Sequence, residues 1–156
     1  MSPEYLTKEG FKKLQDELDH LRSVKRKEVA ERLHEAAESS LGEFVEDPEF
    51  EAAKNEQAFV EGRIRELELL LANARVLTKR KSKDGMVEIG SKVTIKEGRK
   101  KPEIYQIVGH AEANPREGKI SNESPLGKAL MGQKEGSKVD VKAPNGAFSV
   151  RIVKVS

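Results

Sequence analysis

The sequence predicts an α+β protein, with an N-terminal antiparallel coiled-coil hairpin over residues 1–78 and a small antiparallel-sheet domain over residues 79–156. Three observations point there. Two long segments carry apolar residues at helical steps of three and four. The second half holds short β-type runs punctuated by Gly and Pro. Charge also divides at the same place: residues 1–78 hold twelve Lys and Arg against eighteen Asp and Glu, and residues 79–156 hold seventeen against nine. The formal net charge of +2 therefore conceals an acidic half and a basic half, and the basic half can attract nucleic acid or an acidic protein surface.

Thr7 is a suitable N-cap for a first helix over about residues 8–38, although Gly10 lowers helix propensity in its first turn. Phe11, Leu14, Leu18 and Leu21 form its apolar stripe, continued less strictly by Val29, Leu33 and Ala36. A second helix starts at Pro48, a residue favoured in the first turn, and repeats Ala53, Val60, Leu67 and Ala74 at intervals of seven beside Gln57, Ile64 and Leu71. The Ser39-Ser40-Leu41-Gly42 linker and its acidic sequel are short enough to fold the arms back on each other. Arms of about 30 residues at ~1.5 Å rise give a rod of ~45 Å, long enough to project; a dimeric coiled coil is the alternative.

The connector Lys79-Arg80-Lys81-Ser82-Lys83-Asp84-Gly85 ends the helical pattern. Strands are expected at Val87 to Ile89, Val93 to Ile95, Ile104 to Val108, Val139 to Val141 and Phe148 to Val155. Ser124, Pro125 and Gly132 mark a short helix by cap, first turn and stop.

Composition excludes several chemistries. With no Cys there are no disulfides, thiolate zinc sites or cysteine nucleophiles, and His20, His34 and His110 are too scattered for a metal cage. No phosphate-cradling Gly loop and no Ser, His and Asp arrangement is present. No apolar run has the ~20 residues of a membrane helix and no basic-then-apolar leader opens the chain, so no membrane partner and a cytoplasmic address are expected.

The most biased window lies at the turn of the hairpin. Glu35, Glu38, Glu43, Glu46, Asp47, Glu49 and Glu51 occur there without a Lys or Arg. Such a window is either a solvated acidic loop beside a helix N-terminus or an oxygen-ligand surface for Mg²⁺. Glu43 and Glu46 are spaced to share one ion on a helical turn, yet two or three carboxylates hold Mg²⁺ weakly without help from other ligands. Phe50 reads as hairpin packing. Arg22, Lys25, Arg26 and Lys27 form a basic cluster on the first helix, either a solvated face or a contact for an RNA backbone.

Several motifs in order resemble the bacterial Gre family of transcript cleavage factors. They are Tyr5-Leu6-Thr7-Lys8-Glu9-Gly10, Glu49-Phe50-Glu51-Ala52-Ala53-Lys54-Asn55-Glu56-Gln57 and Ile89-Gly90-Ser91-Lys92-Val93, then Lys119-Ile120-Ser121-Asn122-Glu123-Ser124-Pro125-Leu126-Gly127-Lys128-Ala129-Leu130. The likeness runs essentially end to end. It implies a C-terminal domain that is FKBP-like and a factor whose hairpin enters the secondary channel of bacterial RNA polymerase when the RNA 3′ end is extruded. The polymerase then cuts its own transcript, so the factor itself is no enzyme. By this resemblance Glu43 and Glu46, with Asp47, share Mg²⁺ with the polymerase in the complex only, no cofactor being bound by the chain alone. Ser121, Glu123, Ser124 and Pro125 dock on the polymerase, the nascent RNA 3′ end is met in the complex, and the protein acts as a monomer.

Family members read Gly-Asp, two residues, Glu-Asn, one residue, Glu-Tyr at the tip. This chain reads Gly42-Glu43-Phe44-Val45-Glu46-Asp47-Pro48-Glu49-Phe50, with two extra residues near 39–41. Asp47 replaces an amide by a third acid, and Phe50 lacks the phenol hydroxyl. Two same-fold roles stay open, an activator of cleavage and a channel-binding inhibitor of the polymerase. A prolyl isomerase is disfavoured, because such pockets are lined by aromatics and the second half has only Tyr105 and Phe148.

Overall fold

The computed structural model describes residues 3–39, 47–78 and 85–156. The chain divides into two compact units, Met1–Gly10 with Ala74–Ser156, and Phe11–Asn73. The sequence placed the boundary after residue 78. The structure instead returns both flanks of the hairpin to the C-terminal unit, because β1 (Glu4–Thr7) pairs in parallel with β2 (Ala74–Leu77). Residues 74–77, read as the end of the second helix, are therefore a strand.

In the hairpin unit α1 (Lys8–His20) passes through a π-helical turn at Leu21–Lys25 into α2 (Arg26–Ser39), and α3 (Pro48–Ala72) returns. The π turn explains the loosened stripe. Phe11, Leu14, Leu18 and Leu21 keep one heptad phase, whereas Val29, Leu33 and Ala36 run one residue late, and a π turn absorbs one residue. The Ser23 hydroxyl donates to the Asp19 carbonyl at 2.6 Å within this stretch. Leu18, Val29, Val60, Ile64 and Leu67 form the seam core, flanked by Leu14, Leu21, Leu33 and Leu71. Burying each large aliphatic side chain is worth roughly 1.5–3 kcal/mol. Arg22 with Glu68, Arg26 with Glu61, and Arg32 with Glu56 link the arms in opposite senses, and Arg63 reaches Glu17 at 2.7 Å.

In the other unit a five-stranded sheet runs β5-β4-β3-β7-β6, built from β3 (Lys92–Lys96), β4 (Glu103–Val108), β5 (Lys119–Ser121), β6 (Lys138–Ala143) and β7 (Gly146–Val155). Every pairing is antiparallel except β4 with β5. Strand β5 has only three residues, too few for an alternating pattern to announce it. Its core joins Val93, Ile95, Ile107, Val139, Val141, Val150 and Ile152 with Val87 and with Leu130 of α4 (Pro125–Leu130). The expected strand at Val87 to Ile89 is not one. Val87 is buried and exchanges backbone hydrogen bonds with Gly132 and Gln133, but Gly90 at φ +96° turns the chain at once.

One carboxylate fastens β1 to this unit. The Thr7 N–H donates to Glu112 Oε2 at 2.7 Å and its hydroxyl to Oε1 at 2.6 Å, while Thr7 Oγ1 accepts the Gly10 N–H at 3.0 Å as the N-cap of α1. A Cβ at Gly10 would overlap the Glu112 carboxylate, which gives that glycine a reason to sit in a helical turn.

Candidate functional site

The acidic run lies between α2 and α3. Glu43 and Glu46 fall outside the described residues, so the described part of the candidate site begins at Asp47. Asp47 caps α3 with φ −81° and ψ 114°, its Oδ1 accepting the Glu49 N–H at 3.0 Å, and Pro48 fills the first helical position. Glu49 and Glu51 occupy the first turn, where the positive end of the helix dipole favours anions. Phe50 is half-buried, and the Lys54 ammonium stands 4.6 Å from its ring centroid. The donors are all carboxylate oxygens, the chemistry a hard divalent cation takes. Among the described residues no three His or acidic side chains converge as a ready metal site.

Three of the four cations of the basic cluster, Arg22, Lys25 and Arg26, are committed to partners. Arg26 grips Glu61 through two hydrogen bonds of 2.8 and 2.9 Å, Arg22 holds Glu68, and Lys25 lies 3.4 Å from Glu28. The Arg26 hydrogen bond holds the Glu61 carboxyl below its usual range and raises the guanidinium in return. An RNA phosphate would have to displace a carboxylate at each of these cations.

The expected docking segment is a tight turn leading into α4. Ser121 is buried, its Oγ accepting the Glu123 N–H at 3.1 Å and its carbonyl accepting both the N–H and the hydroxyl of Ser124. Ser124 Oγ in turn accepts the Gly127 N–H at 3.0 Å as N-cap. Of the four candidates, Glu123 and Pro125 are exposed, while Ser121 and Ser124 hold the turn that presents them. Ser124→Ala should lower stability by about 1 kcal/mol through loss of the cap, whereas Pro125→Ala should not; thermal melts followed by circular dichroism check the contrast.

Sequence reasoning dismissed Tyr105 and Phe148 as too few for a pocket, yet the fold brings them together. With Ile95, Leu126 and Val150, and with the charged Glu97, Lys100, Lys101 and Glu103, they line a pit of about 120 Å³. Tyr105 Oη donates to Glu103 Oε2 at 2.5 Å, which pushes the phenol up to about 12. Strand alternation places both aromatics, but their convergence depends on a register that only the folded sheet supplies.

Fold and site together define a two-unit α+β factor that presents an acidic run between the arms of a helical hairpin. The C-terminal family model described as transcription elongation factor, GreA/GreB, matches residues 81–156, and the N-terminal model matches residues 4–76. The transcription elongation factor GreA of Chloroflexus aggregans is 49% identical over 154 residues, covering 98% of this chain and 97% of that one. GreA of Syntrophomonas wolfei is 48% identical over 151 residues, covering 96% and 94%. Among solved structures, the GreA factor homolog Gfh1 of Thermus thermophilus is 33% identical with 99% of both chains covered and a TM-score of 0.45. The chain belongs to the GreA/GreB family of transcription elongation factors. Among the described residues no helix is long and apolar enough to cross a membrane.

Proposed function

We propose that this protein, a cytoplasmic monomer, binds bacterial RNA polymerase, enters its secondary channel with the hairpin, and stimulates the polymerase's own cleavage of backtracked RNA. The observation that carries the reading is the acidic run, placed between two arms of an antiparallel hairpin with Asp47 anchored at the cap of α3. Glu43 and Glu46 supply carboxylate oxygens toward an ion shared with the polymerase, and Asp47, with Oδ1 engaged by Glu49, offers its second oxygen. Mg²⁺, when bound, supplies charge stabilisation for phosphodiester hydrolysis. Glu123 on the turn before α4 and Pro125 at its first position, both exposed, make the docking contact, and Ser121 and Ser124 hold that turn in shape. A weak, incomplete carboxylate set suits a ligand donated in the complex, since this ion keeps several waters and draws on more than one source of oxygen.

The departures at Asp47 and Phe50 favour one rival, an inhibitor acting through the same channel. Incubating the protein with a stalled, backtracked elongation complex and Mg²⁺, then resolving the RNA on a gel, separates the two. Shortened RNA that resumes elongation supports the activator, and suppression of both cleavage and nucleotide addition supports the inhibitor. In a competition assay Pro125→Ala with Glu123→Lys should weaken polymerase binding at unchanged thermal stability; undiminished binding would remove the docking assignment.

A further inference from the structure

The C-terminal unit contains a basic groove that neither the docking turn nor the acidic run uses. Lys92 on β3 lies directly opposite Gln106 on β4, and Gln106 pairs with Lys119 on β5. Residues opposite one another on adjacent strands share a face, so Lys92, Gln106 and Lys119 form one row across three strands. At ~4.8 Å per strand, the backbones of the two lysines stand about 10 Å apart. The β1–β2 ribbon supplies the facing wall. In its register Tyr5 is opposite Arg75 and Thr7 opposite Leu77, while Leu6 between them is wholly buried. Tyr5 and Arg75 therefore stand on the face turned away from Leu6, and both line a groove of about 1350 Å³ whose other wall is the Lys92 row.

The charges in this groove differ from those on the hairpin, where each arginine of the seam is neutralised by a carboxylate. Lys8, Arg75, Lys92 and Lys119 line the concavity with the exposed acids Glu9 and Glu88. Lys119 reaches Glu117 at 3.6 Å, but among the described residues Lys8, Arg75 and Lys92 have no ion pair. Cations spread over two walls suit a ligand with repeated anionic groups rather than a single anion. An aromatic side chain beside basic groups, in a groove that follows a chain, is the combination that holds single strands: cations meet phosphates and a base stacks on the ring. The Gln106 amide between the two lysines adds a donor and an acceptor within reach of a base edge. An acidic peptide would answer the charge and leave the tyrosine unused.

We propose that this groove binds single-stranded nucleic acid, with Lys8, Arg75, Lys92 and Lys119 on the phosphates and Tyr5 stacked on a base. The chain holds two tyrosines and no tryptophan, so Tyr105→Phe leaves Tyr5 as the sole intrinsic fluorophore. In that background the full chain is titrated with fluorescein-labelled oligouridine, oligodeoxythymidine, and a poly-glutamate peptide of matched charge. Either oligonucleotide should raise anisotropy and quench Tyr5 together, since phosphate is the recognised group. Four phosphate contacts imply a slope of log K on log salt of about −2.8. Arg75→Ala with Lys92→Ala should lower affinity about tenfold and flatten that slope by roughly 1.4, at an unchanged melting temperature, because both side chains are exposed. Oligonucleotide binding that leaves Tyr5 unquenched, binding indifferent to the double substitution, or equal binding and quenching by poly-glutamate would each overturn the assignment.

Discussion

Glu43→Gln and Glu46→Gln should each abolish stimulated RNA cleavage while polymerase affinity stays unchanged. The amide keeps the size of the side chain and can still hydrogen-bond, but it removes the negative charge that draws a hard divalent cation. Where loss is partial, cleavage should reappear at a higher Mg²⁺ concentration, which a misfolded hairpin would not show. Affinity measured by competition isolates the chemistry, because Glu123 and Pro125, the proposed docking residues, lie in the other unit. Glu43→Asp with Phe50→Tyr restores the residues the family usually carries and should leave cleavage equal or stronger. If the native protein instead suppresses cleavage and those two changes convert it into an activator, Glu43 and Glu46 are not working ligands in this chain.

Gly127→Ala should be among the most damaging single-methyl changes in the C-terminal unit. A Cβ at Gly127 would overlap the Ser121 carbonyl oxygen, a backbone atom that already accepts the Ser124 N–H and hydroxyl. Relief requires moving either the turn or α4, and α4 buries Leu130 in the core. Overpacking of this kind costs typically 1–3 kcal/mol, so urea unfolding should show a lower midpoint and polymerase binding should weaken with it. Gly62 provides the internal control. It lies in exposed α3 with nothing within 4 Å of an added Cβ, so Gly62→Ala should stabilise the chain by up to about 1 kcal/mol. Equal effects of the two substitutions would show that steric crowding is not what sets Gly127 apart.

The seam of the hairpin could be read from the sequence because heptad spacing is a local property, and Val60, Ile64 and Leu67 are buried as their spacing requires. The π turn could also have been read: the one-residue phase slip between Leu21 and Val29 is its signature. Strands β1 and β2 could not, since each has four residues and its partner lies some seventy positions away. Local helix propensity then claims residues such as Ala74 and Leu77 for the preceding helix. Ser121 and Ser124 are docking residues by resemblance alone; that their side chains also hold the turn depends on hydrogen bonds that only the folded segment supplies. Glu43 and Glu46 rest on spacing and resemblance, and the described residues reach only their neighbour Asp47.

The pairing of β1 with β2, together with the hold of Glu112 on Thr7, sets an order of events during synthesis. Residues 4–7 leave the ribosome before the elements that hold them: their strand partner is made some seventy residues later and their carboxylate clamp more than a hundred. The helices between can form as they emerge, because helix formation needs only nearby residues. The C-terminal unit, by contrast, stays open along the Leu6 side until nearly the whole chain is out. A nascent chain stalled before residue 74 should therefore carry a hairpin with an unclaimed N-terminal strand, a segment exposed to proteases until its strand partner is translated.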